Sequence, residues 1–165
     1  NYIGPTPQAN PRTKSWLDFW RDARLAPQLE LAARNGHNGG LHSLGERVLE
    51  RLPEIFAGHS PRPSLVHGDL WPGNAGFTAN GAPVLFDPAV YYGDRETDIA
   101  MTELFGGYPP VFYEAYFERL PVDDGYPLRR CLYNIYHVLN HLNLFGGSYH
   151  AQAENLMREV LSRTH

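Results

Sequence analysis

Ser64-Leu-Val-His-Gly-Asp-Leu-Trp-Pro-Gly-Asn-Ala-Gly-Phe77, continued by Pro83-Val-Leu-Phe-Asp87, is the stretch from which the rest of the chain can be read. Leu65 and Val66 make a short apolar strand, and His67 to Asn74 reads as a tight loop. A β-hairpin follows, turning at Ala79-Asn80-Gly81-Ala82, because Asn and Gly tolerate the positive φ that such turns require. Its second strand, Val84 to Phe86, returns Asp87 to the loop that carries Asp69 and Asn74.

Phosphoryl transfer from a nucleotide needs a divalent cation on hard oxygen ligands, and a carboxylate that orients the attacking hydroxyl and takes its proton. The run His67-Gly-Asp69-Leu-Trp-Pro-Gly-Asn74, followed by Asp87-Pro88-Ala89, resembles the kinase catalytic loop and its metal-binding Asp. That resemblance implies Asp69 as the base, and Asn74 and Asp87 as ligands of Mg²⁺ on the phosphates of ATP. His67 is expected to brace the loop backbone. Asp98, which precedes an apolar helix, reads by itself as an N-cap. The kinase resemblance adds that it accepts N–H groups from the catalytic loop. Asp94, Arg95 and Glu96 read as a solvated turn.

The composition fits one sizeable core: 165 residues, 42% of them hydrophobic. A net charge of −4 with no basic stripe argues against nucleic acid as partner. The single cysteine, Cys131, cannot form an internal disulfide, which points to a cytoplasmic protein. It sits among apolar helix positions and reads as an inert core residue. No apolar run approaches the roughly 20 residues that span a bilayer, so no membrane partner is expected.

Working outward, Asn1 to Arg12 is rich in proline and polar residues and reads as an extended, irregular segment. Ser15 and Asp18 form a capping box that opens a helix through Trp16, Phe19 and Trp20. Pro27 is expected to start a new helical turn that stops at Gly36. Leu44, Val48, Leu49, Leu52 and Phe56 recur at helical spacing, with Pro53 expected to kink or divide the stretch. After the loop of residues 88–98, helices are expected through Ile99 to Leu104, over Pro109 to Leu120, over Leu128 to Phe145 with one apolar face, and over Ala151 to Ser162. The fold class is α+β, mainly helical, with a catalytic loop and a short β-hairpin: a protein-kinase-like C-terminal lobe.

Of the other histidines (37, 42, 59, 137, 141, 150 and 165), only His137 and His141 have a ligand-like spacing. Without a Glu beside His137, they read as core or surface residues rather than a zinc pair. The rival classes are a metal-dependent hydrolase and a catalytically idle kinase-like binding module. A missing His/carboxylate cluster speaks against the first, and the joint presence of Asp69, Asn74 and Asp87 against the second.

Protein kinases usually carry Lys two positions after the catalytic Asp. Here that position is Trp71, a flat surface suited to stacking on a sugar, or else a core residue. This points to a small-molecule kinase similar to aminoglycoside and choline kinases. The runs Asn1 to Asn10, Trp16 to Leu25, His67 to Asn74, Phe86 to Ala89 and Tyr92 to Gly107 together resemble the fructosamine/ketosamine-3-kinases. The resemblance implies ATP-dependent phosphorylation of the 3-hydroxyl of a ketosamine, on small amines or protein lysines, followed by loss of the unstable sugar phosphate and release of the amine.

The chain has 13 arginines but one lysine, Lys14, which no strand pattern surrounds. A nucleotide lysine on a strand and a glycine-rich loop are therefore not visible before Asp69. The expected organisation is a single C-terminal lobe over 1–165, with 1–12 as a post-hinge segment, 63–98 as the catalytic core and the N-terminal nucleotide lobe absent. A fragment of that kind is expected to transfer phosphate poorly and to self-associate through the apolar face where the other lobe docks.

Overall fold

The computed structural model describes residues 1–164; His165, one of the histidines considered above, lies outside the described residues. Its core is built around α6 (Tyr126–Phe145). From Cys131 to Asn140 every residue of this helix is buried, so it is enclosed rather than apolar on one face. The helices α2 (Ala26–Arg34), α4 (Glu96–Leu104) and α7 (Tyr149–Ser162) pack against it, and α3 (Gly40–Ile55) packs on α7. Leu29, Leu52, Ala100, Leu132, Leu139, Met157 and Val160 fill the space between them. The peripheral α5 (Pro110–Arg119) buries no residue fully.

Ser15 caps α1 (Trp16–Trp20), its hydroxyl accepting the Asp18 N–H at 3.2 Å. Pro27 lies in the first turn of α2, as expected, but no break precedes it. α1 runs through a π-helical turn, Arg21–Leu25, directly into α2. Proline has no N–H to give the Ala23 carbonyl, which instead accepts the Arg24 guanidinium at 2.8 Å. The Ala26 N–H meanwhile bonds the Arg21 carbonyl in the wider π register. Pro53 likewise does not divide α3, because it lies in the final turn, which closes through the Phe56 N–H on the Leu52 carbonyl.

The first residues are more ordered than their composition suggests. β1 (Tyr2–Ile3) and β2 (Thr6–Pro7) form a small hairpin turning at Gly4 (φ 55°), with Ile3 in the core. The Gln8 amide donates to the Tyr136 hydroxyl at 2.9 Å, and the Asn1 amide to the Val90 carbonyl at 2.6 Å.

Two further two-stranded sheets carry the central stretch. The expected hairpin is present as β4 (Ala75–Phe77) and β5 (Pro83–Leu85), paired Ala75 to Leu85. β3 (Ser64–Val66) pairs antiparallel with β6 (Tyr91–Gly93), a strand that lies inside the stretch read from sequence as loop. The alternation of buried Tyr91, exposed Tyr92 and buried Gly93 spans only three residues, too short to register as a period-two pattern.

Candidate active site

Hydrogen bonds zip the two halves of the central stretch together. The Phe86 N–H donates to the Asn74 carbonyl at 3.1 Å, and the Ala89 N–H to the His67 carbonyl at 2.8 Å. The His67 ring spans the gap: its Nε2 lies 3.1 Å from the Phe86 carbonyl and its Nδ1 accepts the Asp69 N–H at 3.3 Å. These contacts fix the Nε2–H tautomer, so His67 braces both loops through its ring. At Gly68 φ is +81°, and a Cβ there would stand 2.2 Å from the Ala89 carbonyl oxygen, so only glycine lets the loops close.

A second support comes from α4. The Asp98 carboxylate accepts the His67 N–H at 2.7 Å and the Gly68 N–H at 2.8 Å. Asp98 is not the N-cap, because α4 already begins at Glu96. Asp94 does the capping, its carboxylate accepting the Glu96 N–H at 3.0 Å. The solvated turn expected over 94–96 is also corrected: Asp94 and Glu96 are buried. Asp94 also meets His59 Nε2 and the Tyr133 hydroxyl, each at 2.6 Å, while Glu96 accepts a bidentate pair from Arg129 at 2.7 and 2.9 Å. Burial acts to raise the Asp94 carboxyl, but these bonds overcome it and hold the group below its usual range.

Asp69 is half-buried at the end of this frame. Burial pushes its carboxyl above the usual range; His141, His67 and the Asn74 amide pull it back, and Asp87 pushes it further up. Asp87 therefore lies close enough for its charge to be felt at Asp69. It is also the only non-glycine residue with a positive φ (54°) among the described residues, a conformation held by the zipped loops on either side. Asn74 is buried, and its amide nitrogen donates to the Asp69 carbonyl at 2.9 Å and carboxylate at 3.2 Å. That leaves the Asn74 side-chain oxygen Oδ1, with the exposed Asp87 carboxylate, as hard donors beside Asp69. Such a set suits Mg²⁺ rather than a soft metal.

Trp71 is neither a core residue nor free. It is 39% exposed, its ring lies over Gly73, where a Cβ would stand 2.2 Å from it, and its edge meets Phe105 at a centroid distance of 6.4 Å. Phe105 in turn packs on His141 at 4.8 Å, and His141 on Tyr149 at 5.1 Å. An aromatic wall thus leads from the loop to the end of α6.

His141 is the residue that sequence reasoning passed over. Its Nδ1–H donates to the His137 carbonyl at 2.8 Å, leaving Nε2 free. The His137 ring is buried and its pKa is pushed down to about 3 by desolvation. The spacing i, i+4 drew attention to the pair, but only the packing of α6 brings one member near enough to Asp69 to lower its carboxyl. A His/carboxylate cluster, not visible in the sequence, does exist: His59, Asp94 and Glu96. Its atoms are engaged by Tyr133, Arg129 and one another, so a guanidinium already supplies the positive charge.

Comparison with known proteins places this geometry. The sequence profile described as fructosamine kinase matches residues 1–163. A probable ketoamine kinase of Synechocystis sp. is 48% identical over 161 residues, which are 98% of this chain and 54% of that protein. A chloroplastic protein-ribulosamine 3-kinase of Arabidopsis thaliana is 39% identical over 161 residues, covering 98% and 49%. A crystal structure from Thermobifida fusca, named "putative fructosamine-3-kinase", superposes with a TM-score of 0.88 at 36% identity, covering 98% of this chain and 56% of that one. The chain spans about half the length of the curated relatives it matches.

Proposed function

The chain belongs to the fructosamine kinase family, and from that premise we propose that it carries the catalytic loop for ATP-dependent phosphorylation of a ketosamine at its 3-hydroxyl. The observation that supports this most directly is the zipped pair of loops that sets Asp69, Asn74 and Asp87 side by side. Asp69 orients the sugar hydroxyl and takes its proton while the new O–P bond forms and the bond to the leaving ADP oxygen breaks. Burial raises the affinity of this carboxylate for that proton, which suits a base that must accept it. Asn74 and Asp87 would hold Mg²⁺, which when bound neutralises charge on the phosphates. Trp71 offers its exposed face to the sugar ring. The amine released by decay of the 3-phosphate can be a small molecule or a protein lysine. The reading keeps the protein in the cytoplasm, where a chain with a single cysteine needs no disulfide; among the described residues no helix is long and apolar enough to cross a membrane.

Nucleotide binding needs more than these residues. The outward face formed by Leu65, Tyr92, Phe77 and Leu85 is apolar and exposed. In this reading it packs against the additional length that the relatives possess, where the nucleotide lysine would also be found.

The test is transfer of labelled phosphate from ATP to a panel of ribulosamines, fructosamines, aminoglycosides and choline. It should be run on this chain alone and joined to the part of the Synechocystis relative that it does not match. The joined protein should phosphorylate a ketosamine, and Asp69→Asn should lower turnover by about a hundredfold or more with nucleotide binding retained. Near-normal turnover in that variant removes Asp69 as base, and transfer to choline or aminoglycosides alone removes the ketosamine.

A further inference from the structure

His37 and His150 stand 113 residues apart, so no motif links them, yet their Nδ1 atoms lie 3.3 Å from each other. We propose that this pair is a binding site for a borderline divalent cation of the Zn²⁺ class. It is separate from the Mg²⁺ ligands of the catalytic loop and ties the end of α2 to the start of α7.

Both rings are carried by helix ends that are already fixed. α2 closes in a Schellman turn: Gly36, at φ +91°, gives its N–H to the Ala33 carbonyl at 3.1 Å, and His37 gives its own to the Ala32 carbonyl at 2.9 Å. The adjoining Asn35 amide donates to the Asn143 carbonyl and side-chain oxygen at 3.3 and 3.1 Å, which pins this turn to the last turn of α6. His150 is the second residue of α7, directly after Tyr149, whose ring packs on His141 at 5.1 Å. The two rings therefore meet with little ordering left for a ligand to impose.

The ring nitrogens argue for a metal. The other nitrogen of His150, Nε2, lies 3.6 Å from the Glu154 carboxylate, one turn along α7. That carboxylate favours a hydrogen on Nε2 and so leaves Nδ1 as a lone pair toward His37. A carboxylate behind one ring nitrogen, with the other left free, is the arrangement that orients metal-binding histidines. His37 bonds this lone pair when its own hydrogen is on Nδ1. With that hydrogen on Nε2, two lone pairs meet across the gap and a cation takes the place of the proton. Two nitrogens each about 2.05 Å from a tetrahedral ion stand about 3.3 Å apart, so the spacing already fits. Both rings are partly exposed, which gives the ion access and leaves its remaining positions to water. Imidazole nitrogen suits Zn²⁺, Cu²⁺ or Ni²⁺, whereas Mg²⁺ takes oxygen. Two other histidines with close polar neighbours are engaged differently, His59 by Asp94 and His141 by the His137 carbonyl.

The test is titration of the 165-residue chain with ZnCl₂ and, separately, with MgCl₂. Calorimetry gives the affinity, and ¹H–¹³C NMR of the imidazole Cε1–H signals, assigned through His37→Gln and His150→Gln, shows which rings respond. Zn²⁺ should move or broaden the His37 and His150 signals ahead of every other histidine, and should raise Tm with the logarithm of its concentration. Mg²⁺ should leave both signals in place. Either histidine variant should weaken Zn²⁺ binding by about tenfold or more, and Glu154→Gln by about tenfold, because the ring loses the charge behind it. All three positions are partly exposed, and helical circular dichroism checks that each variant folds. Other histidines responding first, a parent affinity retained in both histidine variants, or Mg²⁺ binding at this pair as tightly as Zn²⁺ would overturn the proposal. So would Glu154→Gln binding as the parent does, since the His150 lone pair rests on that carboxylate.

Discussion

Burial raises the proton affinity of Asp69, and His141 is the largest influence opposing it. A base must be unprotonated to act, so a carboxyl held above the usual range, around pH 3.9, gives an acid limb that begins at correspondingly higher pH. Replacing His141 by Gln removes that opposing influence and raises the Asp69 pKa further. The acid limb of kcat in the joined enzyme should therefore move to higher pH, while an unshifted limb would mean that His141 does not act on Asp69. Trp71 gives a separate outcome at this scale. Because its ring is half-exposed over Gly73, Trp71→Ala should raise KM for the sugar by about tenfold and leave KM for ATP nearly unchanged. Equal effects on both substrates, or a large fall in Tm, would return it to a packing role.

At the scale of elements, α4 works as a strut between the catalytic loop and the enclosed helix α6. One of its ends is anchored by Asp94 to His59 and Tyr133 and by Glu96 to Arg129, and Asp98 reaches forward to two N–H groups of the loop. Removing that last contact by Asp98→Ala leaves both donors without a partner and should cost about 3 kcal/mol of stability. Urea unfolding measures it, and a loss below about 0.5 kcal/mol would show that the loop holds itself. Much of this arrangement was legible beforehand. The Asn-Gly turn located the hairpin, the offsets from Asp69 located Asn74 and Asp87, and Ser15 with Asp18 located the start of α1. What escaped was whatever depends on partners distant in sequence. β6 is defined only by its pairing with β3, the burial of Asp94 and Glu96 only by Arg129 and Tyr133, and the direction of His141 only by how α6 is enclosed. The unbroken passage from α1 into α2 escaped for a related reason: a proline's cost to a helix depends on which carbonyl it leaves free and what else can reach it, as Arg24 reaches that of Ala23.

For the molecule as a whole, burial is uneven. The helices share one continuous core, whereas the two small sheets turn a side outward that nothing covers. Leu65 and Tyr92, directly paired across β3 and β6, are 65% and 71% exposed, and Phe77 and Leu85 on the hairpin are 78% and 60% exposed. Single exposed apolar residues need no account, but four large ones on two small sheets mark a surface made to be covered. Two-stranded sheets also have little stability of their own, so the same residues gain most from a neighbour. In the proposed arrangement the additional length of the relatives supplies that neighbour. Alone in solution, these 165 residues should then associate with one another through this face, and the sedimentation coefficient should rise with concentration. Changing Leu65, Phe77 and Leu85 to Lys, Glu and Lys should return the chain to a monomer with its helical circular dichroism intact, because none of the three reaches the helical core. Joining the portion of the Synechocystis relative that this chain does not match should have the same effect by covering the face. A chain that stays monomeric at every concentration, or a charged variant that associates as before, would show that this face is not where contact forms.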